Sequence, residues 1–356
     1  MEVLMVSESS SIGPCIPKNI VICVGDGMGF EAVKAAGYYA YGETGNLSFE
    51  KFPYHAEIAT YAANTPMTDS AAAATAMATG HKVNNGVISM EIPGSGTPLK
   101  TLLEIAKDLN KKTGLVSTTY ITHATPACFG AHNPQRNNLG EIAHDYLHLT
   151  RPNVLLGGGG NGITENSAES AGYTVVTNRG ELLGLNTKTE TFVSGQFGQT
   201  NIPYMFDGSD NLPQLSEMVT IALDILTKNE EGFFLLLEGG RIDHAGHSND
   251  IERQLLETVE FANAVQTVYE RVSDNDDTII LVTADHETGG LQVQENSGQG
   301  ETPKITWTTG GHTVSNVPLY GWGMNAEHVE GVLNNTDLIK IVLGNNDFTG
   351  VQLSLL

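Results

Sequence analysis

Short apolar runs alternate along the chain with longer stretches in which apolar residues recur every three or four positions. The runs Asn19–Val24 (NIVICV), Gly114–Thr119 (GLVSTT), Val154–Leu156, Phe233–Leu237 (FFLLL) and Thr278–Thr283 (TIILVT) are bounded by polar or glycine-rich segments. They are too short for helices and predict strands buried on both faces. Phe30–Tyr41, Ala71–Thr79, the Leu99–Leu109 stretch, Leu215–Thr227 and Ile251–Val272 predict helices. Thr68-Asp69-Ser70 offers N-cap chemistry to the alanine-rich helix, and Gly80 offers its stop. Strand followed by helix, repeated, predicts an α/β fold: a large, mostly parallel central sheet with helices on both faces. Val317–Gly321 is a further apolar run after the turn Gly310-Gly311-His312.

The middle is less regular. From 157 to 213 the chain is rich in Gly, Asn and Thr with weak periodicity, and reads as a loop-rich excursion from the sheet. Its opening run, Gly157–Gly160, reads as a loop, with a phosphate cradle as the alternative. A small insertion is expected at about 290–311. Residues 18–350 are expected to form a single domain behind an irregular tail, 1–17. That tail is polar, has no apolar core, and is not a signal peptide as it stands.

Composition narrows the classes. Of 356 residues 40% are hydrophobic, enough for a large core, so a disordered chain is excluded. The net charge of −23 argues against a nucleic-acid-binding surface, because phosphate backbones attract basic faces. No apolar run approaches the ~18 residues of a membrane span. The three cysteines, Cys15, Cys23 and Cys128, form no disulfide framework, although one pair is open to them. Cys15-Ile16-Pro17-Lys18 differs from the sulfatase signature in having Lys where Arg is needed, and it precedes the first strand.

The acids and histidines fall in a pattern. Asp26, Glu238 and the pair Asp285-His286 each follow the C-terminal end of a predicted buried strand. That edge is where open α/β sheets bind ligands. Carboxylates gathered there repel one another and are costly to desolvate, so a cation is expected among them. Asp243 and His247 are four apart and share one face of a helical turn. His312 lies in a glycine turn. Mixed carboxylate and imidazole donors suit zinc, whereas all-oxygen sets suit magnesium. An isolated Asp-x-x-x-His is ordinarily a solvated helix face; the convergence of four segments is what points to metal. Ser70 opens the alanine-rich helix, where backbone N–H groups and the helix dipole favour an anion. On position alone, Ser70 or Asp69 is equally an N-cap worth about 1 kcal/mol.

Five segments in this order resemble the alkaline phosphatase family: Gly25-Asp26-Gly27-Met28-Gly29, Thr68-Asp69-Ser70-Ala71, Thr122-His123-Ala124-Thr125-Pro126-Ala127, Thr283-Ala284-Asp285-His286-Glu287-Thr288-Gly289-Gly290 and Gly310-Gly311-His312-Thr313. The resemblance covers about 18–136 and 232–323. It implies hydrolysis of phosphate monoesters through a phosphoserine at a site of two zinc ions and one magnesium, with broad leaving-group tolerance at alkaline pH. It matches Ser70 to the nucleophile. It matches Asp26, Asp285 and His286 to the ligands of one zinc, which also takes the Ser70 oxygen. Asp243, His247 and His312 match the ligands of the other zinc, and Asp26, Thr125 and Glu238 those of the magnesium. Arg136, eleven residues after Thr125, matches the arginine that grips phosphate, with Asp69 orienting it.

The chemistry makes these residue types necessary. Phosphate monoesters hydrolyse very slowly unaided, and most of the help is electrostatic. Two metals can hold the entering and leaving oxygens of an in-line displacement. Three divalent ions, four carboxylates, one alkoxide and Arg136 leave the site at about +2, so an acidic protein still attracts a phosphate dianion locally. The chain departs from some family members at His123, where they have Asp, and at His244, where they have Lys. Both positions lie near magnesium and phosphate and leave the third ion's identity open. The resemblance also implies a homodimer, a periplasmic or extracellular location, and inorganic phosphate as a product inhibitor. A phosphodiesterase, sulfatase or phosphoglycerate mutase of the same superfamily is the alternative enzyme, and a non-catalytic metal- or phosphate-binding protein is the alternative class.

Overall fold

The computed structural model describes residues 16–208 and 211–344. Most of the tail expected over 1–17, and the end of the domain expected over 345–350, lie outside the described residues. The strands are β1 (Asn19–Gly25), β2 (Tyr54–Ala59), β3 (Lys112–Tyr120), β4 (Val154–Gly158), β5 (Thr174–Val176), β6 (Val193–Gln196), β7 (Phe233–Gly239), β8 (Thr278–Thr283), β9 (Gln292–Glu295), β10 (Lys304–Thr306), β11 (Val317–Gly323) and β12 (Val332–Asn334). Ten of them form one sheet in the order β12-β2-β11-β8-β1-β7-β3-β4-β6-β5. All neighbours are parallel except β11, which runs against both β2 and β8. The remaining two, β9 and β10, pair antiparallel within the segment 290–311.

The three central strands β8, β1 and β7 are buried at every position, which is why their sequences are continuous apolar runs rather than alternations. Their registers align Val24 with both Glu238 and Thr283. The chain therefore leaves all three strands at one edge, delivering Asp26, the end of β7 and Asp285 side by side.

Helices cover both faces. Phe30–Tyr41, Leu215–Leu226 and Arg241–His247 pack with the long helix Ile251–Val272. Leu102–Asp108, Ala124–Gly130 and Leu338–Val342 pack with or beside Ser70–Thr79. Successive residues of a strand point to opposite faces. A Cβ on Gly114 would meet Leu226 of the first group, while the Leu115 side chain lies against Gly130 of the second.

The helix Ser70–Thr79 is buried along its whole length. Alanine makes that feasible, since small side chains let neighbouring backbones approach closely. Asp69 caps its start by accepting from Ala72 N–H (2.9 Å), and Gly80 closes it in the left-handed conformation, φ 76°. The expected helix at Leu99–Leu109 begins later, at Leu102. Thr101 takes the N-cap there, in a reciprocal capping box with Glu104.

The reading of 157–213 as an excursion from the sheet needs correction. The segment returns two parallel strands, β6 and β5, which extend the sheet beyond β4. Ser194 and Gln196 in β6 are polar yet buried, and Gln196 donates to Ser194 Oγ (3.2 Å), so the strand lacks an apolar signature. The glycine run is close packing of backbone, not an anion cradle. A Cβ on Gly158 would stand 1.6 Å from the Thr200 carbonyl oxygen, and one on Gly159 would stand 2.6 Å from that of Gly198. Carbonyl oxygens facing these positions repel anions.

Candidate active site

The sheet edge and the start of the alanine-rich helix meet. Ser70, the first residue of Ser70–Thr79, is buried with Oγ 3.4 Å from His286 Nε2. His286 Nε2 in turn lies 3.1 Å from Asp285 Oδ2 and 3.6 Å from Asp26 Oδ1, all fully buried. Gly27 N–H donates to Asp285 Oδ1 (3.0 Å), and so does His286 N–H (2.9 Å), which orients this carboxylate. Thr288 Oγ1 donates to Asp243 Oδ1 (2.6 Å) and sits 3.1 Å from His286 Nδ1. It therefore accepts the hydrogen bond from Nδ1–H and leaves Nε2 facing Asp26, Asp285 and Ser70.

A pair of imidazoles, His247 and His312, lies beside His286. His247 Nδ1 donates to the Gly310 carbonyl and His312 Nδ1 to the Thr68 carbonyl, both at 2.8 Å. Their Nε2 lone pairs then face each other at 3.2 Å, with Asp243 Oδ1 at 3.4 Å and 3.7 Å from them. Two lone pairs and a carboxylate in such proximity repel unless a cation lies among them. The His312 ring stacks on that of His286, centroids 3.5 Å apart. The His247 side chain is 40% exposed, so this is the open side of the site.

Glu238 ends β7 and is buried. Ser117 Oγ donates to its Oε2, as does Thr119 Oγ1 (3.2 Å). Its Oε1, both carboxylate oxygens of Asp26, Asp285 Oδ2 and Thr125 Oγ1 are buried without a hydrogen-bond partner. Orphaned buried carboxylate oxygens are rare and call for a counter-charge. Their electrostatics agree. Burial pushes Asp26 well above the usual carboxylate range, and Asp285, Asp243 and Glu238 push it further. Glu238 is raised to about 7, again chiefly by burial. Burial alone would raise Asp285, but it is lowered, because the His286 ring, itself drawn to the charged form by this carboxylate, and the Gly27 N–H hold its charge. Among the described residues three donor groups have ligand atoms within 4.8 Å of one another: Asp26, Asp285 and His286; Asp243, His286 and His312; and Asp26, His123 and Glu238. Orphaned oxygens, opposed lone pairs and mixed N/O donors all fit metal ions.

The anion side is built from Arg136. Its Nη1 donates to Asp69 Oδ2 (3.0 Å) and its Nη2 to His123 Nε2 (3.3 Å). Burial and the Arg136 charge lower the His123 pKa well below its ordinary value, so this ring stays neutral. The His244 ring meets His123 edge-on, centroids 5.9 Å apart, and its Nδ1 accepts from Arg241 (2.7 Å). Asp26, Asp69, Ser70, His123, Arg136, Glu238, Asp243, His244, His247, Asp285, His286 and His312 are thus linked in one cluster, with the Thr125 hydroxyl beside the Glu238 carboxylate. Sequence reasoning missed Thr288, Ser117, Thr119 and Arg241. Thr288 stood inside a quoted segment, and Ser117 and Thr119 share a strand face by their spacing of two.

A sheet edge that gathers carboxylate and imidazole donors beside a serine at a helix start, facing an arginine, defines a metal-dependent hydrolase of phosphate-type esters. The alkaline phosphatase family model matches residues 17–304. "Alkaline phosphatase 3" of Bacillus subtilis (strain 168) is 30% identical over 91% of this chain and 88% of its own length. The crystal structure of the cold-active alkaline phosphatase of a psychrophilic Shewanella sp. superposes with a TM-score of 0.82, at 30% identity, covering 91% of this chain and 98% of that one. A variant of the TAB5 alkaline phosphatase with Mg bound gives a TM-score of 0.82 at 28% identity, over 93% and 98% of the two chains. The chain belongs to the alkaline phosphatase family, and its activity is the hydrolysis of phosphate monoesters. No helix among the described residues is long and apolar enough to cross a membrane.

Proposed function

We propose that the reaction proceeds by phosphoryl transfer to Ser70 Oγ and then to water, with release of inorganic phosphate, which also binds back as an inhibitor. Asp26, Asp285, His286 and the Ser70 oxygen would hold one zinc, and Asp243, His247 and His312 a second. Asp26, Thr125 and Glu238 would hold a magnesium. His123 reaches the same donor group, but as a neutral ring it has one lone pair, which here takes the Arg136 N–H; only on giving that up would it add the nitrogen donor that suits zinc as well as magnesium. Bound there, the ions supply positive charge to the phosphate oxygens and lower the pKa of a nearby hydroxyl or water.

The chain's own residues do the rest. The helix start holds Ser70 Oγ at a fixed point with backbone N–H groups behind it. Arg136 offers a planar fork to two phosphate oxygens, and Asp69 keeps that fork aimed by taking one edge of it. Neutral His123 braces the other edge without competing for charge. The observation that carries the reading is the set of partnerless buried oxygens on Asp26, Asp285 and Glu238 within one cluster of Ser70 and Arg136. Two further readings rest on the family alone: the protein is exported to the periplasm or outside the cell, and it works as a homodimer.

The test is hydrolysis of a chromogenic phosphate monoester from pH 6 to 11, before and after chelation, with zinc and magnesium returned separately. Alkaline activity lost to the chelator and restored by the two metals together is expected. Ser70→Ala should lose at least roughly a thousandfold in turnover while its metal content is unchanged. Wild-type-like activity in that variant would sink the role of Ser70, and a strong preference for diesters would sink the monoesterase reading.

A further inference from the structure

One exposed loop braces both halves of the phosphate grip, and nothing in the resemblance accounts for it. The Asn85 side chain bridges the segment that leads into the nucleophile. Its Oδ1 accepts from Asp69 N–H (3.0 Å) and its Nδ2 donates to the Met67 carbonyl (3.1 Å). Between these anchors lies Thr68, whose carbonyl accepts from His312 Nδ1 (2.8 Å). The Asn85 backbone is itself tied down, its N–H donating to Asn64 Oδ1 (3.1 Å). The next residue, Gly86, has φ 85° with open space where a Cβ would stand. Its N–H donates to Asp69 Oδ2 (3.0 Å), the oxygen that also takes Arg136 Nη1. Its carbonyl accepts from Arg136 N–H (2.8 Å). Asp69 and Arg136 are thus held to each other and, separately, to this turn.

We infer that Asn85 is a positioning residue for phosphate binding: through Asp69 it sets where the Arg136 guanidinium stands, and through the Thr68 carbonyl it steadies His312. The amide is suited to this because one end accepts and the other donates without carrying charge. A carboxylate at the same place would keep the acceptor, lose the donor, and set a negative charge beside Asp69 and the incoming phosphate. This inference rests on the proposed roles of Arg136 and Asp69.

The test uses the full chain with its metals. Inorganic phosphate binding is read by calorimetry, and KM and kcat with a chromogenic monoester, for wild type, Asn85→Ala, Asn85→Asp and Arg136→Ala. Asn85→Ala should raise the phosphate dissociation constant and KM roughly three- to tenfold, the scale of one lost net hydrogen bond, with a smaller change in kcat and little change in melting temperature. Asn85→Asp should raise them at least as much, and it carries the test if the alanine variant fails to fold. Constants within 1.5-fold of wild type in a folded Asn85 variant, while Arg136→Ala weakens phosphate strongly, would overturn the inference. Wild-type protein that binds phosphate but turns over no monoester would count against the proposed function and leave the Asn85 comparison readable from binding alone.

Discussion

Glu238→Gln separates the electrostatic reading of the site from its packing. Glu238 is fully buried, and burial raises its pKa from an ordinary 4.5 to about 7. A carboxyl raised on folding contributes its full stability below its unfolded pKa and loses it as pH rises through the folded value. The interval from 4.5 to about 7 corresponds to about 3 kcal/mol. Glutamine has the same shape and still accepts from Ser117 and Thr119, but it does not titrate. In chelated protein the two forms should therefore be nearly equal at pH 4. The variant should become the more stable by about 3 kcal/mol at pH 8, most of the gap opening between pH 4.5 and 7. Urea unfolding at a series of pH values measures it; groups that do not feel Glu238 cancel in the comparison, while Asp26, which the Glu238 charge pushes up, is relieved in the variant and widens the gap in the same direction. Returning the metals should reverse the order, because the carboxylate then has its counter-charge and the amide does not. A gap that does not change with pH, or a variant less stable at pH 8 without metals, would refute the reasoning.

Arg136→Lys keeps the charge but loses the fork; it should raise the phosphate inhibition constant roughly tenfold or more, and an unchanged constant would show that a point charge suffices. Gly158→Ala drives a methyl into the Thr200 carbonyl and should cost about 3 kcal/mol in urea unfolding; stability equal to wild type would mean that the two loops part easily.

The central strands and the long helix were legible in the sequence because one force decides them. β8 and the helix Ile251–Val272 coincide with their apolar patterns residue for residue. Where burial is shared with hydrogen bonding, the pattern fades. β6 carries Ser194 and Gln196 inside the fold, β5 is three residues long, and β2 exposes Tyr54 and His55. The convergence of Asp26, Glu238 and Asp285 was legible from their common place at strand ends. The supports were not: Thr288 acts through a single hydroxyl, and Asn85 and Arg241 act on other site residues rather than on substrate. No spacing rule announces a residue that acts through one polar contact on another site residue, whether that partner is 3, 16 or 45 positions away.

The gathered side chains run from Asp26 to His312, and of the three strands that align them β1 lies near the start of the chain while β7 and β8 lie more than 200 residues further on. No short contiguous fragment contains a site. Parallel pairings of this sequence separation form late and slowly, since the closure entropy of the long intervening segments is met before the contacts reward it. Activity regained during refolding should therefore lag behind helix formation and report the last long-range pairing, so turnover serves as a clock for completion of the fold.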